Sequence, residues 1–290
     1  MAAGIDIAAT FNVVAYTIFL YDYVLTFTRE VDRFWNQPRR TWAFALFIAN
    51  RYIALLGRVP ALLDNFLPHS GGIDSPVCHN VHLWDQVIMA VLQLIGGVIM
   101  IMRAYAFYDR NRWILGLLIL VALISIGICC WAFLLKSPSL VMHPLQTRVV
   151  GCLGPITQAQ ASRFAAAWGG QLLFDGFVFA LTLSRLLHIR STGERTFITR
   201  LIRDGALYFA AMSVINIANI ITFLVAEPYV KSVLSSPTNM LCVALISRLM
   251  LNLRDPKTRV VSYVPRWMCT LPAEHEVMRA VIMLYRLVDP

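Results

Sequence analysis

The chain has 290 residues, 58% hydrophobic and only 14% charged, with a formal net charge of +9. A soluble domain carries about 25% charged residues, so too little polar surface remains here to cover a water-soluble globule, and a sizeable soluble domain is excluded. The basic residues fall between apolar runs, which directs the charge toward an anionic membrane leaflet rather than nucleic acid.

A hydrocarbon core about 30 Å thick is crossed by about 20 helical residues, and seven stretches are long enough. Residues 1–20 lack a basic leader, so no cleavable signal peptide is expected. The first stretch, 7–27, is apolar apart from Asn12, Asp22 and some hydroxyls, and Arg29, Arg33, Arg39 and Arg40 follow it with Trp35 as an interfacial aromatic. The second, 42–63, carries Asn50, Arg51 and Arg58, and Gly57 with Pro60 predicts a kink. The loop 68–80 has no Lys or Arg and holds Cys78.

The third stretch, 83–107, is the one the others are counted from. It has Asp85 near its start, Gly96-Gly97 inside, and a basic aromatic patch at its end: Arg103, Tyr105, Tyr108, Arg110, Arg112 and Trp113. The fourth, 113–135, holds no charge. A loop with Lys136, Arg148 and Cys152 leads to the fifth, 164–187, with Asp175 near its middle. The linker 185–203 is basic. The sixth, 205–226, carries Asn216 and Asn219, and the seventh, 233–253, carries Pro237, Asn239 and Arg248.

Lys and Arg concentrate after the first, third and fifth stretches, which makes those loops cytoplasmic. With seven crossings the amino terminus lies outside and the carboxyl terminus in the cytoplasm. The expected architecture is therefore all-α: a seven-helix transmembrane domain over 1–256 and a cytoplasmic tail over 257–290. Within the tail, 272–288 has the spacing of an amphipathic helix that could lie on the leaflet.

Ionisable groups within a membrane are expensive, so each is a candidate for function. Asp22 lies about 10 Å in from Arg29 and Arg51 about 13 Å in from Trp42 at the helical rise, and these matched depths predict a pair between the first two spans. It reads either as a clasp that fixes packing or as a proton- or ligand-linked switch. Asp175 joins that network or lines a wet cavity. Asn216 and Asn219 share one helix face, where amides bond across to other helices or line a polar pocket. Asp22, Arg51, Asp175, Asn216 and Asn219 are thus the expected intramembrane polar network. Asp85 and Arg58 read as boundary residues whose charges snorkel. Gly96-Gly97 predicts close approach of a neighbouring helix.

Cys78 and Cys152 both fall in outer loops, the oxidising side, and are expected to form a disulfide. Cys129, Cys130 and Cys242 lie in spans and read as small apolar residues. No metal-ligand pattern, nucleophile elbow or phosphate loop occurs, so neither an enzyme nor a cofactor site is expected.

Several motifs together carry a resemblance: Tyr21-Asp22-Tyr23 with Leu25-Thr26 and Arg29-Glu30-Val31; Asn50-Arg51-Tyr52; Arg103-Ala104-Tyr105-Ala106-Phe107-Tyr108 with Asn111-Arg112; and Ser247-Arg248-Leu249 leading to Leu251-Asn252-Leu253-Arg254. Over residues 11–254 the chain resembles a large fungal family, abundant in mushroom-forming species, of membrane proteins with an amino-terminal domain of unknown function. The resemblance implies about seven helices and supplies no activity. A second likeness, of architecture alone, is to G-protein-coupled receptors: seven spans, an outer amino terminus, and Arg103 and Tyr105 at the cytoplasmic end of the third span. The sequence departs from that pattern at Met102, where many such receptors place an acid, and lacks their Asn-Pro-x-x-Tyr motif in the seventh span.

Three functions follow. One is receptor-like sensing of an unidentified ligand, with a cytoplasmic protein partner at the basic inner loops. Another is transport of a small solute or proton along Asp22, Arg51 and Asp175. The third is a structural membrane scaffold. A transporter needs a polar path to both faces; a receptor needs a closed inner half.

Overall fold

The computed structural model describes residues 2–36, 42–69, 76–134, 149–150, 152, 156–191 and 197–254. The chain divides into a unit Met1–Leu253 and a second unit Arg254–Pro290. The expected amphipathic helix 272–288 lies outside the described residues.

The first unit is all-α apart from one two-residue pairing. Helix α1 spans Ala2–Glu30 and runs on through a π-helical turn, Val31–Trp35; α2 is Trp42–Gly57, α3 Val59–Asp64, α4 Pro76–Phe107, α5 Arg112–Leu134, α6 Gln158–Ser191, α7 Phe197–Val225 and α8 Ser235–Leu253. Strands β1 (Pro68–His69) and β2 (Val149–Val150) pair antiparallel, Pro68 opposite Val150. The second stretch of the sequence is two helices. Pro60 sits in the first turn of α3, where its missing N–H costs nothing, and the indole of Trp84 donates to the Gly57 carbonyl at the break, 2.9 Å. Helices α4, α6 and α7 begin before the apolar runs that announce them, because backbone hydrogen bonding continues past the residues that need lipid.

Six segments are long and apolar enough to cross a membrane: Ala9–Trp35, Trp42–Asp64, Pro76–Phe107, Arg112–Leu134, Gln158–Arg185 and Leu207–Val225. Helix α8, the expected seventh span, is not among them. The physical reason lies in its position. It packs against α1, α2, α4 and α7 and buries Ser235, Thr238, Asn239 and Ser247 along with Val243, Ile246 and Leu249. A helix surrounded by protein faces little lipid and need not be apolar all round.

The surface is inside out relative to a soluble protein. On α1, Phe11, Val14, Ile18, Tyr21 and Leu25 are exposed at helical spacing, while Ala15, Phe19, Asp22, Thr26 and Glu30 are buried on the opposite face. Helix α5 buries only Leu118, Ser125 and Ala132, one narrow stripe; Leu120, Leu123, Ile124, Trp131 and Leu134 are among its exposed apolar residues. Exposed apolar surface on this scale implies contact with a lipid bilayer, so the chain is a multi-pass membrane protein. The main core gathers Phe34, Phe47, Ile99, Met100, Phe174, Val178, Phe209, Met212, Ile246 and Leu249. Gly96 lets α8 come close: a Cβ there would stand 2.9 Å from Ile246 Cδ1.

Candidate functional site

Cys78 at the start of α4 and Cys152 beyond β2 are joined in a disulfide with Cα atoms 5.1 Å apart. The Cys152 amide also donates to the Asp64 carboxylate, 3.1 Å. These contacts mark one end of the bundle, the disulfide end; the other, where α1 ends with Arg29 and Arg33 and where Arg110 and Arg112 stand at the α4–α5 turn, is the arginine end. A cavity of about 620 Å³ opens at the disulfide end, lined from α1 and from α3 to α8 by residues that include Asn12, His79, His82, Asp85, Gln93, Trp168 and Ser236. Its size lies within the range of small-ligand sites, and its wall mixes aromatic side chains with many polar ones.

Arg58 and Asp85 sit in this cavity and correct their expected role as boundary residues. Arg58 is buried and forms a salt bridge with Asp85, and its other terminal nitrogen donates to Ser236 Oγ. One guanidinium thus ties α3, α4 and α8 together at the cavity wall. The break between α2 and α3 makes this possible, since it turns Arg58 inward.

The expected pair of Asp22 with Arg51 does not form. Arg51 is 2% exposed and stands 2.9 Å from the carboxylate of Glu30, which is 0% exposed, as an ion pair whose N–H is angled off the hydrogen-bond line. Its Nη2 donates to the Tyr23 carbonyl at 2.8 Å and to Thr26 Oγ1 at 2.7 Å, and its guanidinium lies 4.4 Å from the centre of the Tyr23 ring. Glu30 Oε1 accepts from Tyr52 OH at 3.0 Å and from the Trp35 indole at 3.1 Å. Asp22 pairs instead with Arg248 of α8. Side-chain direction decides the choice. Side chains on a helix tilt toward its amino terminus. For α2 that direction is the arginine end, so Arg51 reaches toward Glu30 and away from Asp22. Arg248 on α8, which runs parallel to α1, reaches back toward Asp22.

The five residues expected as one polar network therefore divide. Asp22 and Arg51 belong to separate pairs on the α1 side. Asp175 lies with Asn216: the Asn216 amide donates to Asp175 Oδ2 at 3.0 Å and the Gln171 amide to Oδ1 at 3.0 Å. Asn219, on the same face of α7, accepts from Ser235 Oγ at 3.4 Å. Asp175 faces a second, small cavity of about 30 Å³, and Gln93 and Trp168 line both cavities. The large cavity thus leads down toward Asp175. Beyond it, the aromatic and aliphatic core closes the bundle toward the arginine end.

Arg103 lies on the buried face of α4. None of its guanidinium nitrogens has a hydrogen-bond partner among the described residues, and the group lies 5.2 Å from the centre of the Phe107 ring and 5.9 Å from that of Phe209. Tyr105 is half-buried, and its carbonyl accepts from the Arg110 amide, 3.1 Å, in the turn where Asp109 and Arg110 take positive φ.

Residues 10–56 match the Family of unknown function (DUF6533). That match covers α1 and α2, and it contains every member of the Glu30 and Arg51 cluster: Tyr23, Thr26, Glu30, Trp35, Arg51 and Tyr52. The cavity-lining helices α4 to α8 lie outside it. No curated protein and no solved structure matches the chain.

The roles of Glu30 and Arg248 were missed by reasoning from sequence, whereas the break within 42–64 falls where Gly57 and Pro60 predict a kink. No group of three or more His, Cys, Asp or Glu placed to hold a metal ion occurs among the described residues. The cavity can admit a small molecule, offer it hydrogen bonds from His79, His82, Gln93 and Ser236, and pack it against Trp168.

Proposed function

We propose that this multi-pass membrane protein is a receptor-like sensor that binds a small ligand in the cavity at the disulfide end. The observation that carries the reading is the asymmetry of the bundle: an open 620 Å³ cavity at one end and a packed apolar core at the other. We take the disulfide end as outside and the arginine end as cytoplasmic, from the distribution of Lys and Arg, and α8 as a seventh span. The basic cytoplasmic face would then meet a protein partner. From the quoted motifs we infer that the chain's wider relatives are the fungal membrane proteins it resembles. Its activity is binding and transmission, not catalysis.

Transport is the second reading, favoured by one observation: Asp175 at the foot of the cavity, where a solute or proton could be passed on. Hydroxyl-radical footprinting of the protein in native membranes separates the two. For a sensor, His79, Met89 and Trp168 are oxidised, while Met100, Met212 and Met250 in the closed half stay protected. Oxidation of those three methionines at rates near that of Met89 would mean an alternating path, and the transport reading would replace this one.

Orientation has its own test. A tag placed after Pro290 should be reached by antibody only after permeabilisation, and one placed before Met1 in intact cells. The reverse pattern would overturn both the assigned sidedness and the sensing of an outside ligand.

A further inference from the structure

Asp175 is a buried carboxylate near mid-membrane with no cation beside it. No Lys, Arg or His lines the small cavity it faces, and no salt bridge to it occurs among the described residues. A lone carboxylate in such a place is either protonated or neutralised by something bound. The hydrogen bonds favour the second. Both of its oxygens accept from amide N–H groups, Gln171 on one and Asn216 on the other. An ionised carboxylate accepts at both oxygens in this way.

The rest of the cavity wall supplies what a cation needs. Asn216 presents its nitrogen to Asp175, so its carbonyl oxygen Oδ1 is left over, and that oxygen has no partner. Oδ1 of Asn239, across on α8, is also buried without a partner, and both residues line the cavity. Buried acceptors left unpaired are costly, so two of them beside an uncompensated carboxylate call for a positive occupant. The volume of about 30 Å³ suits one small ion or one water. A calcium ion takes 6–8 oxygen ligands, and against a single carboxylate it would leave net positive charge in the membrane core. A monovalent ion leaves none.

We propose that Asp175, Asn216 and Asn239 form a buried sodium site beneath the large cavity, entered past Gln93 and Trp168. The site holds α6, α7 and α8 together through one ion. It goes beyond the sensing function and does not depend on it, because it needs no ligand in the cavity above.

The test is the thermal melting midpoint of the purified full chain in detergent, compared in sodium chloride and in choline chloride of equal ionic strength. An ion bound only by the folded state leaves the midpoint unchanged well below its dissociation constant and raises it with the logarithm of concentration above it. The midpoint should stand several degrees higher in sodium than in choline. Asp175→Asn should abolish the difference. Should Asp175→Asn fail to fold, Asn239→Ala, which leaves the carboxylate in place, should shift the sodium titration to roughly tenfold higher concentration. Equal wild-type midpoints in the two salts, as a water or a protonated Asp175 would give, overturn the proposal. So does a sodium effect that survives unchanged in Asp175→Asn or in Asn239→Ala.

Discussion

Glu30→Gln should be among the most destabilising single substitutions in the bundle. It leaves the Arg51 guanidinium buried without a counter-charge, and removing one partner of a buried pair costs about 3–5 kcal/mol. Water defects and snorkelling relieve part of such a cost in a membrane, so the lower end of that range is expected. Arg51→Gln should cost about as much, because it strands the carboxylate and frees Thr26 Oγ1 and the Tyr23 carbonyl, both of which it bonds. The measurement is unfolding in mixed micelles, read as a double-mutant cycle. The double variant Glu30→Gln with Arg51→Gln should be much less harmful than the sum of the singles. The same cycle with Asp22→Asn and Arg51→Gln should show the smaller coupling, since Asp22 answers to Arg248. A larger coupling for Asp22 than for Glu30 would reverse the assignment.

The face that carries this pair was legible in the sequence. Positions 15, 19, 22, 26 and 30 follow helical spacing, and they are the buried side of α1; the apolar residues 11, 14, 18, 21 and 25 form the side toward lipid. In a membrane span the polar stripe marks the interior, the reverse of a soluble helix. Matching depths alone select Asp22 for Arg51, because they count Arg29 as the end of the first span. The helix runs on to Trp35, which moves Glu30 inside the membrane boundary and within reach of Arg51. Depth without side-chain direction picks the wrong acid.

The cavity was not legible, and the reason is general. Its lining comes from nearly every helix, and no local spacing encodes how those helices lean. Arg58 illustrates the difficulty. At the end of an apolar run it looks like a snorkelling residue, yet a helix break one residue away turns it inward onto Asp85 and Ser236. Helix α8, expected from the sequence over 233–253, is less apolar than the other spans for a related cause: hydropathy reports lipid contact, and a helix at the centre of the bundle has little. What the sequence did carry was pairwise and local, such as the small residues at Gly96 and the shared face of Asn216 and Asn219.

Breaking the disulfide should have the second large effect, and it should fall on the cavity more than on the bundle. Cys78 and Cys152 are separated by 74 residues, and closing a loop of that length restrains a free chain by about 4 kcal/mol. Here the loop includes α4 and α5, which stay inserted when tertiary contacts are lost, so the unfolded chain is far from free. About 2 kcal/mol is therefore expected for Cys78→Ser in the same micelle assay. The local consequence is larger. The bridge and the bond from the Cys152 amide to Asp64 hold the approach to α6 against α3 and α4 at the cavity wall. Without them, His79, His82 and Trp168 should be oxidised several-fold faster in footprinting, while Met100 and Met212 keep their protection. Asp64→Asn, which keeps the bridge and weakens only the amide contact, should raise those cavity rates less. Uniform exposure of both halves after Cys78→Ser would mean that the bridge supports the whole bundle, and unchanged cavity rates would mean that it supports neither.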